Sequence, residues 1–270
     1  MSTQFLQVPE GKIAYDDSGS GPLVICVPGM GDLRREYRFL VPQLAAAGFR
    51  AVTMDVRGHG ESSMGWQDYS VAGVGCDILA LIRQLNAGPA VVIGNSMGAG
   101  AAVWAAVEAP EWVRALVLVG PAVRGQPSGL FRLLMGALFL RPWGASAWLR
   151  YYRTLFPSRT PADWSAYAAG LQHNLAQPGR LEALRQMLFS SKAASEARLM
   201  QVSQPALVLM GSQDADFKPP EREAQWVAAQ VKGTCQMIEG AGHYPFSEMP
   251  ELTGPKMIDF LKSLPPVVKP

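Results

Sequence analysis

The sequence predicts an α/β fold: a mostly parallel central sheet flanked by helices, with a helical insertion in its second half. Three observations predict it. Short runs that are apolar throughout alternate with segments of helical periodicity, the pattern of strands buried on both faces and joined by covering helices. Residues 123–200 then carry no strand pattern, and after them the strand pattern resumes, so the stretch interrupts one fold. A chain of 270 residues, 49% apolar and 17% charged, can bury a core of that size.

Lys12 to Tyr15 reads as the first strand, and the turn residues Asp17-Ser-Gly-Ser-Gly-Pro22 follow it. Leu23 to Val27 is wholly apolar, as a doubly covered strand requires. Val41 to Ala47 reads as the end of a helix with Gly48 as its stop, and Phe49 to Met54 as the next strand. Ser70 is placed to cap a helix running to about Leu85, with Val74, Ile78, Leu81, Ile82 and Leu85 on one face. Pro89 to Ile93 is a short β-branched strand, Met97 to Glu108 an Ala-rich helix and Ala115 to Val119 a further strand. In 123–200, Pro142, Pro157, Pro161 and Pro178 divide short helices that hold 10 of the 24 aromatics. Ala206 to Met210 then reads as a strand, Glu221 to Ala229 as a helix, Cys235 to Ile238 as the last strand and Gly254 to Leu264 as a closing helix.

Between the strand at Pro89–Ile93 and the helix at Met97 stands Gly94-Asn95-Ser96-Met97-Gly98, a G-x-S-x-G. With 27 Gly and 18 Ser in 270 residues, about 0.2 chance matches are expected, so the motif needs its context. That context is a strand before it, a helix after it, and a base with an orienting acid, because a serine hydroxyl alone is a poor nucleophile. The chain has three histidines. His59 lies in the Gly-rich loop Asp55-Val-Arg-Gly-His-Gly-Glu-Ser62 and reads as structural, while His173 lies inside the insertion. His243 follows the last strand, in Gly240-Ala-Gly-His-Tyr-Pro245, where loops at strand carboxyl ends line the site of an open parallel sheet. The loop after Ala206–Met210, Gly211-Ser-Gln-Asp-Ala-Asp216, offers two acids, Asp214 and Asp216, whereas none stands just after Val119.

The five pieces Val27-Pro-Gly-Met-Gly31, Asp55–Ser62, Gly94–Gly98, Gly211–Asp214 and Gly240–His243, each beside its strand and in this order, resemble the α/β-hydrolase fold family over nearly the whole chain. The resemblance implies a triad of Ser96, Asp214 and His243, with Gly-x-x-Asp selecting Asp214 and leaving Asp216 to cap the following turn or helix. It implies an oxyanion hole from the backbone N–H groups of Met97 and Met30. It also implies that 123–200 is a helical cap, with 1–122 and 201–270 forming the hydrolase core. The chain departs from the family's His-Gly form at Pro28, which raises the question of what braces that loop.

The expected activity is cleavage of a carboxylic ester of a small, largely apolar substrate through an acyl-enzyme. A lactonase, a carbon–carbon bond hydrolase or a ligand receptor without turnover are the alternatives on the same residues. A net charge of +2 points neither to nucleic acid nor to acidic membranes as partners. No apolar run has the length of a membrane span, and no basic-then-apolar leader opens the chain, so a cytoplasmic location is expected. Cys26, Cys76 and Cys235 are far apart and form no disulfide framework, with Cys26 and Cys235 expected as buried thiols. No metal or cofactor motif is read, and the oligomeric state is not encoded in any pattern recognised here.

Overall fold

The computed structural model describes residues 3–125, 128–140 and 142–266. Eight strands form one sheet: β1 Gln4–Val8, β2 Gly11–Ser18, β3 Leu23–Val27, β4 Arg50–Met54, β5 Ala90–Asn95, β6 Val113–Val119, β7 Ala206–Gly211 and β8 Thr234–Ile238. Their spatial order is β1-β2-β4-β3-β5-β6-β7-β8. β1, β2 and β4 pair antiparallel, and every pairing from β4 through β3 to β8 is parallel. β1 was not anticipated, because only Leu6 of its five residues is buried and an edge strand of that kind leaves little apolar signal.

The helices of the sheet are α1 Leu40–Ala46, α2 Val71–Leu85 and α3 Met97–Glu108. Between β6 and β7 come α4 Gly129–Leu138, α5 Gly144–Thr154, α6 Trp164–Ala176, α7 Arg180–Phe189 and α8 Ala193–Glu196. After β7 follow α9 Pro220–Gln230, α10 Pro245–Glu248 and α11 Pro250–Ser263. α2 begins where its cap was expected: Ser70 Oγ accepts the Gly73 N–H at 3.3 Å. α11 begins before Gly254, at Pro250, and carries Pro255 inside it. Proline is well suited to the first helical position, so Pro250 starts this helix ahead of the expected Gly254.

The sheet separates two apolar cores, and the alternation along β3 shows how. Leu23, Ile25 and Val27 face the core shared with α2, α3 and α9; Val24 and Cys26 face the core shared with α1, α11 and the inserted α5 and α6. Cys26 is fully buried as expected, whereas Cys235 on β8 is only half-buried, because that strand lies at the sheet edge. Met97 and Met210 are core side chains, while Met30 is partly open.

The β5–α3 junction is the tightest point of the fold. A Cβ on Gly94 would stand 2.4 Å from the Gly98 carbonyl oxygen, and a Cβ on Gly98 would stand 2.4 Å from Val27 O and 2.7 Å from Pro28 O. Backbone therefore packs directly on backbone from β5 to the start of α3 and on to the end of β3. We expect Gly98→Ala to lower stability by roughly 1–3 kcal/mol, since backbone cannot yield as a side chain would. Gly170→Ala in α6, where nothing lies within 4 Å of the added carbon, should be neutral or stabilise by up to about 1 kcal/mol. Urea unfolding midpoints of the two variants check both signs.

Candidate active site

Ser96 sits on the strand-to-helix turn with φ 52° and ψ −117°, a backbone conformation rare for a residue with a side chain. Backbone hydrogen bonds hold it there: Ser96 N–H donates to Val119 O at 2.9 Å, and Ser96 O accepts from Ala99 N at 3.1 Å and Ala122 N at 3.2 Å. The same short loop after β6 reaches the other two sequence-selected residues. Gly120, at φ +48°, is so close that a Cβ there would stand 3.0 Å from His243 Nδ1 and 3.2 Å from Asp214 Oδ2. Asn95, next to Ser96, donates to both Val119 O and His243 O at 3.2 Å. Ser96, Asp214 and His243 thus gather around one turn, and none of them is more than slightly exposed.

His243 Nδ1 lies 2.8 Å from Asp214 Oδ2. Since the carboxylate can only accept, Nδ1 carries the proton and Nε2 is the free nitrogen of the neutral ring. Burial alone lowers the imidazolium's pKa, but the Asp214 charge and hydrogen bond, then the charges of Asp216 and Asp32, outweigh it and raise the pKa to about 9. Asp214 Oδ1 accepts the Asp216 N–H at 3.0 Å. Asp216 caps no helix, contrary to the sequence expectation: its Oδ1 takes the Tyr151 hydroxyl at 2.6 Å, and its Oδ2 lies 3.8 Å from His243 Nδ1. Asp214, Asp216 and His243 present donor atoms within 4.8 Å of one another, a spacing that could hold a cation. Here the donors already satisfy one another and Tyr151, which suits an orienting acid and base better than an open metal site.

The loop in which Pro28 replaces the family's histidine is braced from elsewhere. His59 Nε2 accepts the Gly31 N–H at 3.1 Å, while its Nδ1 faces Arg57 O at 3.1 Å, so the ring is neutral and proton-bearing at Nδ1. Burial, with a contribution from the Arg180 charge, lowers its pKa to about 4 despite the bond to Arg57 O. Trp148 Nε1 donates to Gly31 O at 3.0 Å. The hydroxyls of Tyr152, at 2.6 Å, and Tyr167 both donate to the buried Asp32 carboxylate. A Cβ on Gly29 would stand 3.2 Å from Ser96 Cβ, so this loop passes directly over the serine. Neither the Met30 nor the Met97 N–H has a hydrogen-bond acceptor among the described residues.

Ser96 opens into a cavity of about 540 Å³. Its lining includes the apolar Met30, Met135, Leu138, Phe139, Trp148 and Leu188 and the polar Arg124, Tyr151, Lys192, Asp216 and Glu223. Sequence reasoning missed Asn95, Trp148, Lys192 and Glu248. Glu248 holds the His243 loop by accepting from Gly242 N at 2.7 Å and from Ser158 N and Arg159 N at 2.8 and 3.0 Å. Asn95 lay inside the motif and could have been weighed; the others carry no local signal. His173 is exposed on α6 and takes no part.

Residues 22–250 match the family described as alpha/beta hydrolase fold. The chain is 30% identical to the "Putative non-heme bromoperoxidase BpoC" of Mycobacterium tuberculosis, over 94% of this chain and 98% of that protein. Among solved structures it is similar to an esterase from Exiguobacterium antarcticum, with TM-score 0.82, 21% identity and 97% and 100% of the two chains covered. A bromoperoxidase from Bacillus anthracis aligns with TM-score 0.84 at 20% identity over 97% and 100%. The chain belongs to the α/β-hydrolase fold family. No helix among the described residues is long and apolar enough to cross a membrane.

Two measurements follow from the histidines. Ring-nitrogen NMR should find His243 titrating well above 6.5, toward about 9, and Asp216→Asn should lower that value by removing a negative charge. For His59, the unfolded chain takes up a proton near 6.5 that the folded chain refuses until about 4. Its contribution to stability is therefore fully present above pH 6.5 and is lost as pH falls toward 4, by roughly 3 kcal/mol in total. The difference in unfolding free energy between wild type and His59→Gln, followed from pH 7 to 4, isolates that slope.

Proposed function

We propose that this member of the α/β-hydrolase fold family is a serine hydrolase that cleaves a carboxylic ester of a small, largely apolar substrate. One observation carries the reading: a serine held at positive φ on a strand-to-helix turn opens into an apolar cavity beside a bonded His–Asp pair. Ser96 Oγ attacks the carbonyl carbon. In the neutral form of the ring, which gains population as pH rises through about 9, His243 Nε2 takes the serine proton and returns it to the leaving alcohol, while Asp214 fixes the ring tautomer. Ser96 makes no hydrogen bond to His243 among the described residues, and such bonds often close only when substrate is bound. The free Met30 and Met97 N–H groups receive the oxyanion, each contributing about 3 kcal/mol of barrier lowering. Water then releases the acyl group by the same base. In this reading residues 123–200 are a cap over the site, and 1–122 with 201–270 are the catalytic core.

The bromoperoxidase names among the relatives favour a second reading, in which hydrogen peroxide replaces water at the acyl-enzyme and a peracid leaves.

The test is a series of 4-nitrophenyl esters of increasing acyl length. Steady turnover is expected, with Ser96→Ala lowering kcat by at least about 10³-fold and Asp214→Asn by about 10⁴-fold. Turnover that survives Ser96→Ala undiminished overturns the assignment of the nucleophile. Ester-dependent peracid formation on adding peroxide distinguishes the second reading.

A further inference from the structure

Among the described residues, one cation in the cavity wall has no ion pair. Arg124 is held by the Glu223 carboxylate, at 2.9 Å to Oε1 and closer to Oε2, and its guanidinium lies 3.8 Å from the centre of the Trp226 ring. Asp216 receives the Tyr151 hydroxyl and lies beside His243. Lys192 is half-buried in the cavity wall, and its ammonium has neither an ion pair nor a hydrogen bond among the described residues. Its own backbone N–H donates to Gly125 O at 3.4 Å, at the start of α8, so the chain is anchored there while the side chain lines the cavity. Desolvation lowers its pKa, with the Asp216 charge opposing, which is the expected signature of an ammonium drawn out of water without a partner. Leaving a half-buried ammonium unpaired is unfavourable, and an anion entering the cavity would relieve it. Lysine serves such a role as a flexible point charge.

We infer that Lys192 is a specificity-determining residue that binds a carboxylate on the substrate. The substrate class is then an ester with an apolar body and one carboxylate. This refinement rests on the hydrolase reading of the same cavity. A charge-assisted hydrogen bond of this kind commonly changes affinity by about tenfold or more.

The experiment compares matched pairs: the mono-4-nitrophenyl ester of hexanedioate against 4-nitrophenyl hexanoate, and 4-acetoxybenzoate against phenyl acetate. In wild type, kcat/KM should favour the anionic member of at least one pair. Lys192→Gln should lower that anionic-to-neutral ratio by about tenfold or more, chiefly through KM, and Lys192→Arg should restore most of it. A ratio unchanged by Lys192→Gln in both pairs overturns the assignment. A second arm needs no turnover: in Ser96→Ala, hexanedioate should raise Tm more than hexanoate at equal concentration, and the added Lys192→Gln should abolish the difference. If no ester is turned over but this difference appears and is abolished, the hydrolase reading fails and the Lys192 assignment stands. If hexanedioate has no advantage, or keeps it without Lys192, the assignment falls whatever the esters do.

Discussion

The site depends on one constraint: backbone must touch backbone where β5 turns into α3. Gly98 lies against the carbonyls of Val27 and Pro28, and Gly94 against the Gly98 carbonyl, with no room for a side chain at either point. That contact seats the start of α3 on the end of β3. The unusual φ of Ser96, a conformation that costs on the order of 1–3 kcal/mol, persists because its N–H is bonded to the last residue of β6 and its C=O to the loop that follows. The same loop passes against His243 and Asp214 through Gly120. Ser96, His243 and Asp214 are therefore referred to a single strip of main chain, and the relative positions of three distant sequence segments become a local matter.

The second support is the loop over the serine. Pro28 cannot donate a backbone hydrogen bond there, and the fixing of that loop is delegated to partners from far along the chain. His59 receives the Gly31 N–H, Trp148 bonds the Gly31 carbonyl, and Tyr152 with Tyr167 bonds Asp32. The helices α5 and α6, inserted between β6 and β7, are thus part of the scaffold of the site. Burial, and then the Asp32 charge, pushes the nearby Glu36 carboxyl well above the ordinary carboxylate range.

Much of this was legible in the sequence where local chemistry decides. The strand Leu23–Val27 and the helix Met97–Glu108 have the limits their residues indicate, because continuous apolar runs and Ala-rich segments each permit one conformation in a covered sheet. The convergence of Ser96 and His243 could be anticipated from their places just after parallel strands. What escaped depends on long-range placement. Nothing near Trp148 signals that its ring nitrogen will reach Gly31, and nothing near Glu248 signals that its carboxylate will receive three amides. Asp216 looked like a capping residue because turns and helices so often follow such loops, but Tyr151, from α5, donates to its carboxylate instead.

The brace and the cavity wall draw on different parts of the insertion. α5 and α6 are fastened to the core through Asp32 and Gly31, and α6 again through the Asn174 side chain on Gly60. α4 contributes Met135 and Leu138 to the cavity, is held by Arg132 to the Phe189 carbonyl, and presents Leu130, Leu133 and Leu134 outward. Descent with modification can therefore treat the two parts differently. A lineage could exchange α4 and the stretch from Leu188 to Lys192, and so reshape the cavity, while inheriting the Ser96 turn and its brace untouched. Trp148 is the exception, since it both lines the cavity and holds Gly31, and it should be the last wall residue to drift.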